Sequence, residues 1–483
     1  MNKYIYITII IALSVLMGCN DKLELYPLTK TTEGTFYQNE VQIQQALDDI
    51  YRQLGNYYNA NQIPDLFEQY SDNTLIILRT GADNYREQIT DFFIQTDNGI
   101  INSAWENGYG SIYICNNVLY QIENTTVKIE ESKLNLMKAQ AMLVRSLIYF
   151  NMVRAWGAIP YIDKKITPME SYDYLRVEPD IIYQKLIADL TFCKQVLPGS
   201  YTGTDVGRVT KYGAAAILTK IYLTLGDNNN AKAELEFIIS SNLFSLDSNN
   251  DGEVNINDYL YIFAPLTKNC KSSILEAQYK AGENAMNTRH QQAYTPFYWD
   301  FHLPDQTITF RGDGSNTPTT DLENEFEPND PRLNTSIVPG YTIIGTANFV
   351  EYPYTNKFYD PNWQYEGQNF EIIRYADILL MYSEVTNDPQ YLNMVRARVG
   401  MSAYGTVEYP SAKYPTLALA IEHERRIELC FEYHRFFDLV RTGRSIEVMR
   451  AKGYDINENK LLFPIPLHAK DVNPGLSQNP GYN

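Results

Sequence analysis

The residues from Asp247 to Asp258 carry the most specific chemical spacing in the chain. Side-chain oxygens recur at Asp247, Asn249, Asp251 and Asp258, Glu253 offers a backbone carbonyl, and Gly252 sits where such a loop turns sharply. Val254 supplies the apolar residue that follows the turn. Hard divalent cations are held by oxygens in this order, so the spacing predicts a calcium site formed by Asp247, Asn249, Asp251, Glu253 and Asp258. The ion would be structural, pinning the start of the loop-rich stretch that follows. Catalytic spacings are missing. The five histidines, His290, His302, His423, His434 and His468, form no zinc motif. The chain contains no Walker A loop, GxGxxG or GxSxG. Paired carboxylates for glycoside hydrolysis are defined in space, and the 58 acidic residues offer many pairs. The sequence therefore reads as a binding protein and not as an enzyme.

The elements that must position such residues are mostly helical. Val41, Ile43, Ala46, Leu47, Ile50 and Leu54 repeat at helical steps across 40–56. Residues 112–122 read as another helix. The longest pattern runs from Lys133 to Trp156 and is stopped by Gly157 and Pro160. Pro179 opens a helix to about Leu197. Thr210 caps a helix over 211–225, Gly226 closes it, and 231–240 follows, giving a hairpin of tetratricopeptide-like size. A second hairpin is predicted over 375–385 and 390–399, joined at Asn387, Asp388 and Pro389. Residues 417–440 read as one continuous helix. From about 268 to 371 the chain is rich in Gly, Pro, Asn, Asp and aromatics and shows no sustained period. The tail from Leu461 reads as extended chain. The predicted fold is mostly α: helical hairpins over about 36–265 and 372–460, carrying a loop-rich insertion over about 268–371 with a few short strands. Residues 19–483 read as one domain.

Composition narrows the partners. The chain has 483 residues, 44% hydrophobic, and a formal charge of −18. An acidic surface repels phosphate backbones, which argues against nucleic acid. The 39 Tyr against 20 Phe favour half-exposed aromatic surfaces, since Tyr pairs a stacking face with a polar tip. Residues 1–18 have a positive start at Lys3 and an apolar run from Tyr4 to Met17, too short to span a bilayer, and read as a signal peptide. Leu16, Met17, Gly18 and Cys19 resemble a bacterial lipobox, which predicts lipidation of Cys19 and a membrane-anchored mature chain. Cys115, Cys193, Cys270 and Cys430 are scattered without a CxxC pair, so buried free thiols are expected.

An ordered set of segments resembles the SusD/RagB family of outer-membrane nutrient-binding lipoproteins. It runs from Ala139 through Arg145, Tyr149, Arg154 and Trp156 to Pro160, then Gly207 to Lys211, then Arg374 to Glu384 with Asp377. It continues through Asn393 to Gly400, Glu424 to Arg441, and the closing Gln478 to Tyr482. The resemblance implies a cell-surface protein that captures oligosaccharides, or in some members peptides, and pairs with a SusC-like TonB-dependent outer-membrane transporter. A non-catalytic assembly scaffold is the other reading of such hairpins. The four-residue spacing of Glu424, Glu428 and Glu432, interleaved with Arg425, Arg426 and Arg435, predicts charge ladders that brace helices. Asp377 and Arg374 take the same reading.

Sugars present apolar C–H faces and a rim of hydroxyls, which aromatic rings and polar side chains match. Such contacts belong on loops. Two stretches qualify, and the resemblance implies a site drawn from both. The first holds Asp72, Tyr85 and Arg86; the second holds Tyr298, Trp299 and Trp363. Trp299 and Trp363 have an alternative role as the small core of their own loops. Trp105 and Trp156 fall within helical patterns and are expected inside.

Overall fold

Apolar residues at three- and four-residue steps build most of the molecule. The computed structural model describes residues 36–59, 63–77, 84–297 and 312–482. Cys19, Tyr298 and Trp299 lie outside the described residues. The main helices are α1 (Glu40–Tyr58), α2 (Gly99–Glu123), α3 (Glu131–Trp156), α4 (Pro179–Val196), α5 (Lys211–Thr224) and α6 (Asn228–Ile239). They continue as α7 (Tyr375–Thr386), α8 (Pro389–Arg398), α9 (Leu417–Glu428), α10 (Arg435–Arg441) and α11 (Leu467–Val472). From α2 to α8 each packs on the next in chain order, as stacked hairpins do. The interior helix is α3: every residue from Ala139 to Val153 is buried, which its neighbours on all sides require.

The helix ends follow their capping residues. The Thr210 side chain accepts from Gly213 N to start α5, and Asp227 accepts from Asn230 N to start α6. Between α7 and α8 the turn is two residues long. Asn387 takes a left-handed φ of 53°, Asp388 caps the next helix, and Pro389 occupies its first position. This short turn suffices because each residue does one part of the reversal. At the crossing of α2 and α3 the helices approach closely, and a Cβ on Gly108 would lie 2.6 Å from Met152 Sδ.

The expected single helix over 417–440 is instead two. The chain breaks at 429–434, where Phe431 and Tyr433 take φ of 68° and 65°. Groups far away in sequence hold the break open. Glu68 accepts from Phe431 N and Tyr433 N, each at 2.9 Å, and Lys357 Nζ donates to the carbonyls of Glu428 and Cys430, each at 3.0 Å. Ionic partners thus replace the intrahelical bonds the break gives up. The tail also departs from expectation, since Leu467–Val472 forms a short helix. The rest of the tail seals the frame: Asn479 Nδ2 donates to the carbonyls of Trp156 and Phe463.

Short strands pair two by two, mostly in the loop-rich part, in place of one large sheet. Strands β1 (Thr74–Leu75), β2 (Ile159–Pro160), β3 (Arg176–Val177), β4 (Ser273–Ala277), β5 (Thr317–Pro318), β6 (Ile337–Thr342), β7 (Phe349–Thr355) and β8 (Phe370–Arg374) pair antiparallel as β1–β5, β2–β3, β4–β8 and β6–β7. The β6–β7 hairpin carries its own aromatic cluster of Tyr341, Tyr352 and Tyr354, separate from the main core. The cysteines Cys115, Cys193, Cys270 and Cys430 are free. No described helix is long and apolar enough to cross a membrane.

Candidate ligand-binding site

The early stretch turns inward before it turns outward. Gln69 to Thr74 is buried throughout. Asp72 does not stand open to a ligand. It is 1% exposed and bound by Arg435 Nε and Nη2 at 2.7 and 2.9 Å, with Lys452 at 2.9 Å and Arg426 at 3.2 Å. Burial alone would raise its carboxyl, but Arg435 and Arg426 hold it well below the usual carboxylate range. The expectation of Asp72 as a sugar contact is therefore corrected. Its carboxylate anchors the base of the loop.

That base joins the two stretches singled out in the sequence. Thr74 pairs with Pro318 and Leu75 with Thr317. Thr319 N donates to Asn73 O, Thr319 Oγ1 to Asp72 O, and Thr74 Oγ1 to Asn316 Oδ1, all within 2.9 Å. Strand β5 in turn packs against β7. The early loop and the insertion thus form one continuous wall, although more than 240 residues separate Thr74 from Asn316 in the chain.

On this wall the predicted contacts divide. Tyr85, in the short helix Asn84–Thr90, is 44% exposed. Its ring lies on Gly99 at the first turn of α2, where a Cβ would come within 2.8 Å of Tyr85 Cε2. Asn98 fixes the junction: its Oδ1 accepts from Ile100 N and Ile101 N, and its Nδ2 donates to Tyr85 O at 3.0 Å. Arg86 is half-buried, with Nε on Asp65 Oδ2 at 2.9 Å, and its carbonyl accepts from Gln69 Nε2. Arg86 therefore braces the helix through its Nε. Trp363 is half-buried and packs on the β6–β7 aromatic cluster. It fills the small core of its own loop, the alternative the sequence left open. The sequence reading passed over this hairpin. Its signal was present: Tyr352 and Tyr354 stand two apart, which puts both rings on one strand face. Phe349 of the same strand is 58% exposed.

Buried ions clamp the wall to the helical frame. Glu424, Glu428 and Glu432 are buried, as predicted for a bracing ladder. Arg332 binds Glu428 at 2.9 Å, Arg374 and Lys357 bind Glu432 at 2.7 and 2.6 Å, and Arg396 binds Glu424 at 2.9 Å. Asp377 is held by Arg425 at 2.7 Å and Lys220 at 2.6 Å. His423 sits between Glu325 and Glu327 at 2.8 and 3.0 Å, which tie the insertion to α9. Burial shifts several carboxyls upward, among them Glu371 and Glu323, Glu68 to about 7 and Glu366 to about 8. Glu68 and Glu366 accept backbone N–H groups, Glu366 from Gln291 and Gln292, so these two serve the chain's own turns.

The loop predicted to hold calcium closes on itself. Asp247 accepts from Asp251 N at 3.1 Å and Gly252 N at 3.0 Å, and Asp251 accepts from Glu253 N at 2.8 Å. Asn249 Oδ1 accepts from Asp251 N at 3.0 Å. Asp258 is buried and accepts from Ser248 N at 2.7 Å and Asn255 N at 2.8 Å, the latter as half of a capping box. Among the described residues no group of three or more His, Cys, Asp or Glu side chains is placed to hold a metal ion. Asp247, Asn249, Asp251 and Asp258 thus accept the backbone N–H groups that a tight turn leaves without partners, and the five-residue set with Glu253, which counts an amide oxygen and a backbone carbonyl besides carboxylates, is kept as a proposed calcium site.

Comparison with known proteins covers most of the chain. A profile described as the SusD family matches residues 271–482, and one described as starch-binding associating with outer membrane matches residues 28–223. SusD-like protein P2 of Formosa agariphila is 26% identical, with both chains covered in full. A SusD-like protein of Bacteroides ovatus is 23% identical over 91% of this chain and 82% of its own length. Among solved structures, a laminarin-binding SusD-like protein superposes with a TM-score of 0.76 at 24% identity, over 92% of this chain and 100% of its own. Surface glycan-binding protein A from Bacteroides thetaiotaomicron, in complex with laminarihexaose, superposes with a TM-score of 0.76 at 23% identity, over 91% and 99%.

Proposed function

The chain belongs to the SusD/RagB family, and from that premise we propose that it is a glycan-binding protein of the bacterial cell surface. In this reading it captures an oligosaccharide and hands it to a TonB-dependent, SusC-like outer-membrane transporter without cleaving it. Lipidation at Cys19 would hold it at the outer membrane. The observation that carries the reading is the β1–β5 pairing, which joins the early loop to the insertion, together with Tyr85 exposed on the Asn84–Thr90 helix, which Thr90 ties to Ile76 beside β1. An aromatic ring with an open face, set among polar loops, matches the apolar side of a pyranose. Tyr298 and Trp299 complete the proposed contact set. Of the upward-shifted acids, Glu68, Glu366 and Glu371 are buried, and Glu68 and Glu366 are bonded to backbone, which supports binding over hydrolysis.

The test is affinity electrophoresis of the lipid-free chain from Asn20 in gels containing laminarin, starch or xylan. Retardation in one gel without loss of polymer length is expected. Tyr85→Ala and Trp299→Ala are each expected to reduce that retardation at least threefold, a roughly 0.5–1.5 kcal/mol stacking effect. Undiminished retardation in both variants would remove the site assignment. Release of reducing sugar would remove the non-catalytic reading.

A further inference from the structure

Helix α2 carries a stripe that the wall does not use. Gly99, Asn102, Glu106, Tyr109, Tyr113 and Asn116 recur at alternating steps of three and four, so they share one face. From Asn102 onward this face lines a groove of about 460 Å³, closed on its other sides by residues 160–174 and by α11 with the tail behind it. A pocket of this size with a mainly apolar lining and a few polar groups is the usual form of a small-ligand site.

The groove is built for a neutral ligand with an apolar face. Trp105 forms part of its floor, fixed edge-on against Trp156 with ring centroids 5.5 Å apart. Tyr109 is held by its hydroxyl, which donates to Pro160 O at 2.7 Å. Tyr113, by contrast, is 50% exposed. At the lip, Asn102 donates its amide nitrogen to Glu106 Oε1 at 3.0 Å, while its buried Oδ1 has no hydrogen-bond partner among the described residues. A buried acceptor without a donor is costly, and a ligand hydroxyl supplies one. The charges on the rim offset each other, with Glu106 3.6 Å from His468 Nε2 and Lys164 on the facing loop. Rings, an open acceptor and no strong net charge together select a sugar over an anion or a cation.

The stripe that lines the groove also reaches Tyr85 at its other end. The stripe begins at Gly99, the residue on which the Tyr85 ring lies. From Gly99 to Tyr113 is about 21 Å along the helix axis. We propose that the α2 groove is an extended subsite for the same oligosaccharide that meets Tyr85, so that a longer chain runs from Tyr85 along α2 to Tyr113. This inference rests on the glycan-binding reading above.

The test compares wild type, Tyr113→Ala, Tyr113→Trp and Tyr85→Ala by calorimetric titration with laminaritriose and laminarihexaose, and by retardation in laminarin and starch gels. Tyr113 is exposed, so its replacement leaves the fold intact. Tyr113→Ala is expected to weaken laminarihexaose or polymer binding roughly three- to tenfold and to leave laminaritriose unchanged, while Tyr113→Trp restores the long-chain affinity. Tyr85→Ala is expected to weaken both lengths. Wild-type affinity of Tyr113→Ala for every probe, with Tyr85→Ala still impaired, would overturn the subsite and leave the proposed function standing. Absence of binding by wild type to all of these probes would overturn the subsite and count against the glycan reading itself.

Discussion

At the scale of single residues, the most informative side chain is Asp72. Its type and loop context suit a sugar hydroxyl, yet its carboxylate closes a buried cluster with Arg435, Arg426 and Lys452. Breaking a buried ion pair by removing one partner strands the other charge, so Asp72→Asn is expected to destabilise the protein by roughly 3–5 kcal/mol at neutral pH. The pH dependence follows from the direction of the shift. The folded carboxyl lies below its unfolded value of about 3.9, so its contribution is complete above that pH and is lost as the pH falls toward the folded value. Denaturant melts from pH 7 down to pH 3 check this: the gap between wild type and Asp72→Asn should be constant near neutrality and narrow below about pH 4. A gap that widened in acid would contradict the ion-pair account.

At the scale of elements, the β6–β7 hairpin tests how the insertion keeps its shape. Tyr341, Tyr352 and Tyr354 pack with Trp363 in a cluster too small to fold alone, so the strand register must be fixed by the backbone. Gly340 sits at the register shift between β6 and β7. A Cβ there would lie 2.1 Å from Val350 O and 2.7 Å from the Phe349 ring, and a backbone oxygen cannot step aside as a side chain can. Gly340→Ala is expected to cost about 1–3 kcal/mol through strain. It should also expose the hairpin to limited proteolysis while helices α3 to α6 stay protected. Uniform loss of protection would show that the hairpin unfolds only with the whole frame.

At the scale of the whole molecule, the buried ladder of Glu424, Glu428 and Glu432 with Arg332, Arg374, Arg396 and Lys357 joins helical frame and insertion. Burial withdraws these cations together with the three acids they pair with, so the ladder leaves the surface balance of a chain of formal charge −18 nearly unchanged. We propose that the loop at 247–258 takes a structural calcium ion, so thermal unfolding in excess calcium should give a Tm several degrees above that in chelator. Equal Tm values in calcium and in chelator would remove the ion and leave the loop closed by its Asx-type bonds alone.

The sequence by itself determined the helical frame, because its signals are local. The apolar steps in α3, Thr210 and Asp227 as caps, and Asn387, Asp388 and Pro389 as a turn act within a few residues of one another. The bracing role of Glu424 and Glu428 was also legible, since four-residue spacing places both along one side of α9, whereas Glu432 joins them from the break that follows. Only the tertiary structure decided the rest. Asp72 and Arg435 are 363 positions apart, as are Glu68 and Phe431. No periodicity links such partners. Their meeting turned a candidate sugar contact into an anchor, broke one expected helix into α9 and α10, and brought the early loop onto the insertion through Thr74 and Pro318. Local spacing governs which elements form; where a carboxylate finds its partner is set by the packing of those elements, where burial makes an unpaired charge too costly to leave alone.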